Sequence, residues 1–178
     1  QLAAQFDGYA IDNILMTNGS KQGLYMIFQA ICDPADEVIV PVPYWVSFIE
    51  QIKMAGGRPV PVTAQKHQLD VDAIAQAVRP RTKAILINSP NNPSGAVYPM
   101  NDLQKIVRLA EDHDLFIVAD EAYKDFVYDD IVYKSIFDKS FFLLTGKPGS
   151  GKTQSHRLDG FICYCRAGRF NLNGCFFS

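Results

Sequence analysis

The chain has 178 residues, 48% of them apolar and 20% charged, which is enough for one domain with its own core. A formal net charge of −2 leaves no basic footprint for nucleic acid, and no apolar run reaches the length of a membrane span. The opening QLAAQFDGYA has neither a basic region nor a long apolar stretch, so no signal peptide is expected; without an initiator Met, the chain reads as a fragment or a processed product.

The helix pattern begins at Ser20, where Leu24, Ile27, Phe28 and Ile31 recur at helical spacing, and Asp33-Pro34 ends it. Glu37 to Pro43 (EVIVPVP) is a nearly continuous β-branched run, as in a strand covered on both faces. Trp45 to Met54 is helical again and stops at Gly56-Gly57. Arg58 to Val62 reads as a strand, and Val71 to Val78 as a helix with Asp70 as its cap. Lys83 to Asn88 is a strand, Asn101 to His113 a helix, Leu115 to Asp120 a strand, and Ser140 to Thr145 the last clear strand. Strands that alternate with helices of about ten residues predict right-handed β-α-β units and a mainly parallel sheet. In such sheets, ligands gather at the carboxyl ends of the strands. Cys32 sits in an apolar helical pattern and is expected to be a buried free thiol. Cys163, Cys165 and Cys175 crowd the tail without regular ligand spacing or a His partner, so no metal site is expected, and a reducing cytoplasm is the simplest compartment.

Five short stretches carry the polar chemistry. In TNGSKQGL a turn with Gly19 runs into a helix, so Gly19, Ser20 and Lys21 could offer N–H groups to a phosphate; alone, it reads equally as a glycine turn capped by Ser20. In NSPNNPSGAVY two prolines, a glycine and several asparagines make a rigid loop after a buried strand. In VADEAY a carboxylate ends an apolar strand, which is costly without a partner; the pattern makes Asp120 the more buried of Asp120 and Glu121. A protonated ring nitrogen would be such a partner, and capping of the next turn is the plainer role. In PYWVSF the sole tryptophan, Trp45, stands just past a strand end, where it is either core or a stacking surface for a flat ring. Finally, Gly146 to Thr153 (GKPGSGKT) fits the phosphate-binding pattern G-x-x-x-x-G-K-[ST], but only 25 residues follow it, too few for the sheet such a loop normally opens.

In their order, GSK, PYW, NSPNNPSG and ADEAY resemble the pyridoxal-phosphate-dependent aminotransferases of fold type I, nearest to the aspartate and aspartate/prephenate branch. The resemblance runs from about Ile14 to about Tyr133. It implies a three-layer α/β/α fold, here a partial large domain. It also implies that Gly19, Ser20 and Lys21 hold the cofactor phosphate and that Trp45 stacks on the pyridine ring. Asn92 and Tyr123 would bond the ring hydroxyl, and Asp120 would pair with the ring nitrogen. The family's catalytic lysine, which bonds the cofactor and then moves the proton, maps onto Lys152, with Lys147 a weaker candidate. On this reading GKPGSGKT is an altered lysine segment rather than a nucleotide loop. The substrates implied are an amino acid and a 2-oxo acid, without nucleic acid or membrane, and the full-length relatives are homodimers.

The resemblance breaks after the lysine. The family shows T-G-W-R-x-G-[FY]; this chain has QSHRLDGFICYCRAGRF, with Arg157 near the expected phosphate arginine but among unmatched neighbours. Codons displaced by one nucleotide allow Ser155 to Leu158 to encode A-T-G-W, and Phe161 to Arg169 to encode S-F-A-I-A-A-P-E-D, in the family's order. The expected organisation is therefore a partial cofactor-binding domain over 1–153 and a divergent, frameshifted tail over 154–178. The expected function is that of a truncated aminotransferase with little or no turnover of its own. A non-catalytic α/β fragment is the rival reading, and a nucleotide binder acting through 146–153 is a remoter one.

Overall fold

The computed structural model describes residues 15–63, 67–129, 131–136 and 142–144. Among them four helices alternate with five strands: α1 (Ser20–Ile31), β1 (Glu37–Val42), α2 (Val46–Met54), β2 (Arg58–Thr63), α3 (Val71–Ala77), β3 (Thr82–Asn88), α4 (Met100–Asp112), β4 (Phe116–Asp120) and β5 (Phe142–Leu144). The strands form one parallel sheet in the order β2-β1-β3-β4-β5. The α/β class and the parallel sheet expected from the sequence are what the chain adopts.

Side-chain alternation builds the layers. On one face Ile39, Ile85, Ile87, Ile117 and Ala119 pack with Ile74 of α3 and with Leu103, Ile106, Val107 and Ala110 of α4. On the other, Val38, Val40, Ala84, Leu86 and Val118 pack with Leu24, Ile27, Phe28 and Ile31 of α1 and with Phe48 and Ile52 of α2. The α4 residues recur at i, i+3, i+4 and i+7, the stripe an amphipathic helix presents to a core. Asp70 caps α3 as expected, its Oδ1 accepting from the Ala73 N–H at 2.9 Å, a bond worth about 1 kcal/mol. After α2, Gly56 takes a φ of 80°, which lets the chain turn directly into β2.

Two helix starts differ from the periodicity. Trp45 is the N-cap of α2 rather than its first residue, because its extended backbone carries the chain off β1. α4 starts at Met100, one residue before the expected Asn101. α1 starts at Ser20 as expected, with Gly19 as its N-cap at φ 85° and no side-chain cap.

The sheet opens at one place. β1 pairs with β2 along its whole length, from Glu37↔Arg58 to Val42↔Thr63. Its pairing with β3 stops at Ile39↔Ile85. Pro41 lies beyond that point and has no N–H to give a ladder. β2 and β3 flank β1 on opposite sides, so the strand order reverses here, and the diverging carboxyl ends of β1 and β3 form the crevice where open α/β sheets take ligands. Its floor is packed: Val40, Leu86, Asn88 and Asn91 leave no room between them for a water-sized group.

The expected last strand is present as β5, paired with β4 from Val118↔Phe142 to Asp120↔Leu144, so the chain leaves it level with Asp120. Lys147, Lys152, Arg157, Cys163, Cys165, Cys175 and the 153/154 boundary lie outside the described residues. Among the described residues no helix is long and apolar enough to cross a membrane, and no group of three or more metal-ligating side chains gathers.

Candidate functional site

The carboxyl edge is organised by a residue not singled out in the sequence. Asn88 ends β3 in register with Asp120 at the end of β4. Its Nδ2 donates to the Asp120 carbonyl at 3.0 Å, and its Oδ1 accepts from the Asn92 N–H at 2.8 Å. One buried amide thus ties the β3 loop to the end of β4. Asn92, so placed, points its Nδ2 at the Tyr123 hydroxyl, 3.5 Å away.

Asp120 is 4% exposed. Its Oδ1 accepts from the Ala122 N–H at 3.1 Å, the turn-capping role, yet none of the ion pairs among the described residues includes it. Burial pushes its carboxyl up to about 6; the Ala122 bond works the other way, and neighbouring Glu121 adds to the rise. Val118 faces the α1–α2 layer, and alternation puts Asp120, two residues on, toward the same side.

On that side stand the other candidates. Trp45 is half-buried and meets the Phe48 ring edge-on at 5.5 Å. The Lys21 ammonium lies 4.9 Å from the Trp45 ring centroid. At the start of α1 the Gly19 N–H is already taken by the Thr17 carbonyl at 3.0 Å. The first-turn amides left for an anion are therefore those of Ser20 and Lys21. No acidic residue offsets the positive end of the helix dipole there. Gln51 braces the turn from α2, its Nε2 donating to the Lys21 carbonyl at 2.7 Å.

Glu121, the other acid of ADEAY, is enclosed as well. It is 3% exposed, and its Oε1 accepts from Ser135 Oγ at 2.7 Å and from the Ile136 N–H at 3.3 Å. The segment 131–136 folds back over it, a tertiary event that no local periodicity records. The signal that marked Asp120, a polar residue ending a buried strand, applied equally to Asn88 and would have found it.

Residues 2–152 match the family described as Aminotransferase class I and II. This chain belongs to that family. Among its aminotransferase relatives is the aspartate/prephenate aminotransferase of Thermus thermophilus, 47% identical over 116 residues that make up 64% of this chain and 30% of the relative. A solved Thermus thermophilus aspartate aminotransferase mutant superposes with a TM-score of 0.80 at 36% identity, covering 88% of this chain and 44% of that one. The aromatic aminotransferase of Pyrococcus horikoshii superposes at 0.83 and 29% identity, covering 93% and 48%. The chain thus spans less than half the length of these aminotransferases.

Class I and II aminotransferases imply pyridoxal phosphate, and the described residues fit that group. Asp120 is a buried carboxylate outside every ion pair among the described residues, and a ring N–H⁺ would supply its counter-charge. The uncapped start of α1 suits a phosphate, and the half-buried Trp45 offers an aromatic face.

Proposed function

We propose that this chain is the cofactor-holding part of an aspartate-aminotransferase-like enzyme, whose reaction moves an amino group between an amino acid and a 2-oxo acid. The observation that carries the reading is Asp120, a buried carboxylate with no ion-pair partner among the described residues, at the edge where Asn92 and Tyr123 converge. When bound, pyridoxal phosphate supplies an aldehyde and a ring that withdraws electrons. Asp120 would hold a proton on the ring nitrogen. Asn92 and Tyr123 would donate to the ring hydroxyl, Trp45 would cover one ring face, and the Ser20 and Lys21 amides would take the phosphate.

Lys152 is assigned the covalent bond to the aldehyde and the subsequent proton transfer. In support, the chain leaves β5 level with Asp120, and the family match runs to residue 152. That extent also supports reading 146–153 as part of the aminotransferase rather than as a nucleotide loop. We assign 1–153 to a partial cofactor-binding domain and 154–178 to a frameshifted tail, which the coding DNA after Thr153 would test in all three frames. The whole enzyme is assigned to the cytoplasm and to a homodimer, and this chain to trace turnover at most.

Titration with pyridoxal phosphate, followed by visible absorbance, tests the reading. A saturable spectral change that Asp120→Ala abolishes is expected. No saturable change, or an equal one in Asp120→Ala, would favour the non-catalytic fragment.

A further inference from the structure

The crevice between β1 and β3 raises a mechanical question. Its two walls carry different parts of the proposed cradle, with Trp45 following β1 and Asn92 following β3. The strands stop pairing at Ile39↔Ile85, so no ladder sets the distance between those walls at the carboxyl edge.

One side chain spans the gap. Asn91 is 5% exposed, and its Nδ2 donates to the Pro43 carbonyl at 3.0 Å, across 48 residues of sequence. Its Oδ1 accepts from the Ser94 N–H at 3.2 Å and from Ser94 Oγ at 2.7 Å. The amide faces a carbonyl on its nitrogen side and two donors on its oxygen side, so only this orientation satisfies it. The backbone of Asn91 is held as well: its N–H donates to the Ala96 carbonyl at 2.9 Å, and its carbonyl accepts from the Gly95 N–H at 2.7 Å. Asn91 is therefore a fixed point of the β3 loop that grips the β1 loop two residues before Trp45.

We propose that Asn91 is a positioning residue that sets where the Trp45 ring stands relative to the Asn92 amide, and so whether one flat heteroaromatic ring can stack on Trp45 and bond Asn92 at its edge together. The inference rests on the cofactor reading above for its ligand, but not for the bridge itself. Its neighbour Asn92 would touch the ring; Asn91 acts only through the loops it joins.

The sole tryptophan makes the proposal measurable. Asn91→Asp keeps an acceptor for Ser94 but loses the donor to Pro43, and Asn91→Leu removes both. Ser94→Ala is the control, since it weakens the loop's internal bonds and leaves the bridge. In the cofactor-free chain both Asn91 variants should raise acrylamide quenching of Trp45 at least about twofold, with the far-ultraviolet dichroism unchanged. With pyridoxal phosphate they should weaken binding about five- to tenfold, as expected for one lost hydrogen bond, and reduce quenching of Trp45 at saturation. Ser94→Ala should match the parent in each measurement. Parent-like quenching in Asn91→Asp would overturn the proposal, as would an equal effect in Ser94→Ala. If the parent binds no pyridoxal phosphate, the cofactor reading fails, and the acrylamide result still decides whether the bridge exists.

Discussion

The Asn92 side-chain amide lies 3.5 Å from the Tyr123 hydroxyl, although 31 residues separate them in sequence. The pair meets because Asn88 fixes the Asn92 backbone while the β3–β4 register brings the two strand ends level. Both groups can donate, so an anionic oxygen between them would take a bond from each. A ring hydroxyl that ionises on binding is such an oxygen.

Tyr123→Phe and Asn92→Ala should each weaken pyridoxal phosphate binding by about tenfold, the cost of one charge-assisted bond, and shift the absorbance of the bound form. The double variant should lose less than the product of the two, because the groups share one acceptor. Absorbance titrations of the four proteins measure this. Full multiplicativity would mean that the pair does not share a ligand atom.

Asp120 predicts a pH dependence. Its folded carboxyl stands at about 6, above its ordinary 3.8. A raised acid favours folding while it is protonated, and that contribution is lost as pH rises from about 4 through 6, on the order of 2–3 kcal/mol in all. Asp120→Asn should therefore melt higher than the parent at pH 8, with the difference gone below about pH 4. Saturating pyridoxal phosphate should stabilise the parent at pH 8 and not the variant, since a cationic ring nitrogen favours the ionised acid. Thermal melts across this range give the answer; parallel curves for the two proteins would refute the assignment.

Cys32 supplies a check on the packing. Burial pushes its thiol up to about 11, with Asp36 adding to the rise. It should resist iodoacetamide in the native chain at pH 8 and react at the ordinary rate in denaturant, as peptide mapping would record. Rapid native labelling would mean that α1 does not seat on the sheet as described.

The strands and helices were legible because each carries its own period: α4 repeats its apolar stripe, and β1 and β3 are continuous apolar runs between turn residues. Asp120, Asn92, Tyr123 and Trp45 stand at or just after strand ends, where a parallel sheet concentrates ligands; the choice of Asn92 and Tyr123 came from the resemblance of their motifs to the aminotransferases, not from position. Asn91 and Glu121 were not assigned. Their importance lies in partners distant in sequence, Pro43 for one and Ser135 for the other, and those meetings are made by the fold. Gly19 shows the limit at finer scale: its N–H turns back to Thr17, a backbone choice that the letters TNGSK leave open.

The carboxyl edge is proposed to be a pyridoxal phosphate cradle whose covalent partner is Lys152. The most direct measurement is to add the cofactor, reduce with borohydride, digest the chain and map the modified peptide. Label should concentrate on Lys152, disappear in Lys152→Ala and fall sharply in Asp120→Ala. Label on Lys147, or spread evenly over surface lysines and indifferent to Asp120, would contradict it.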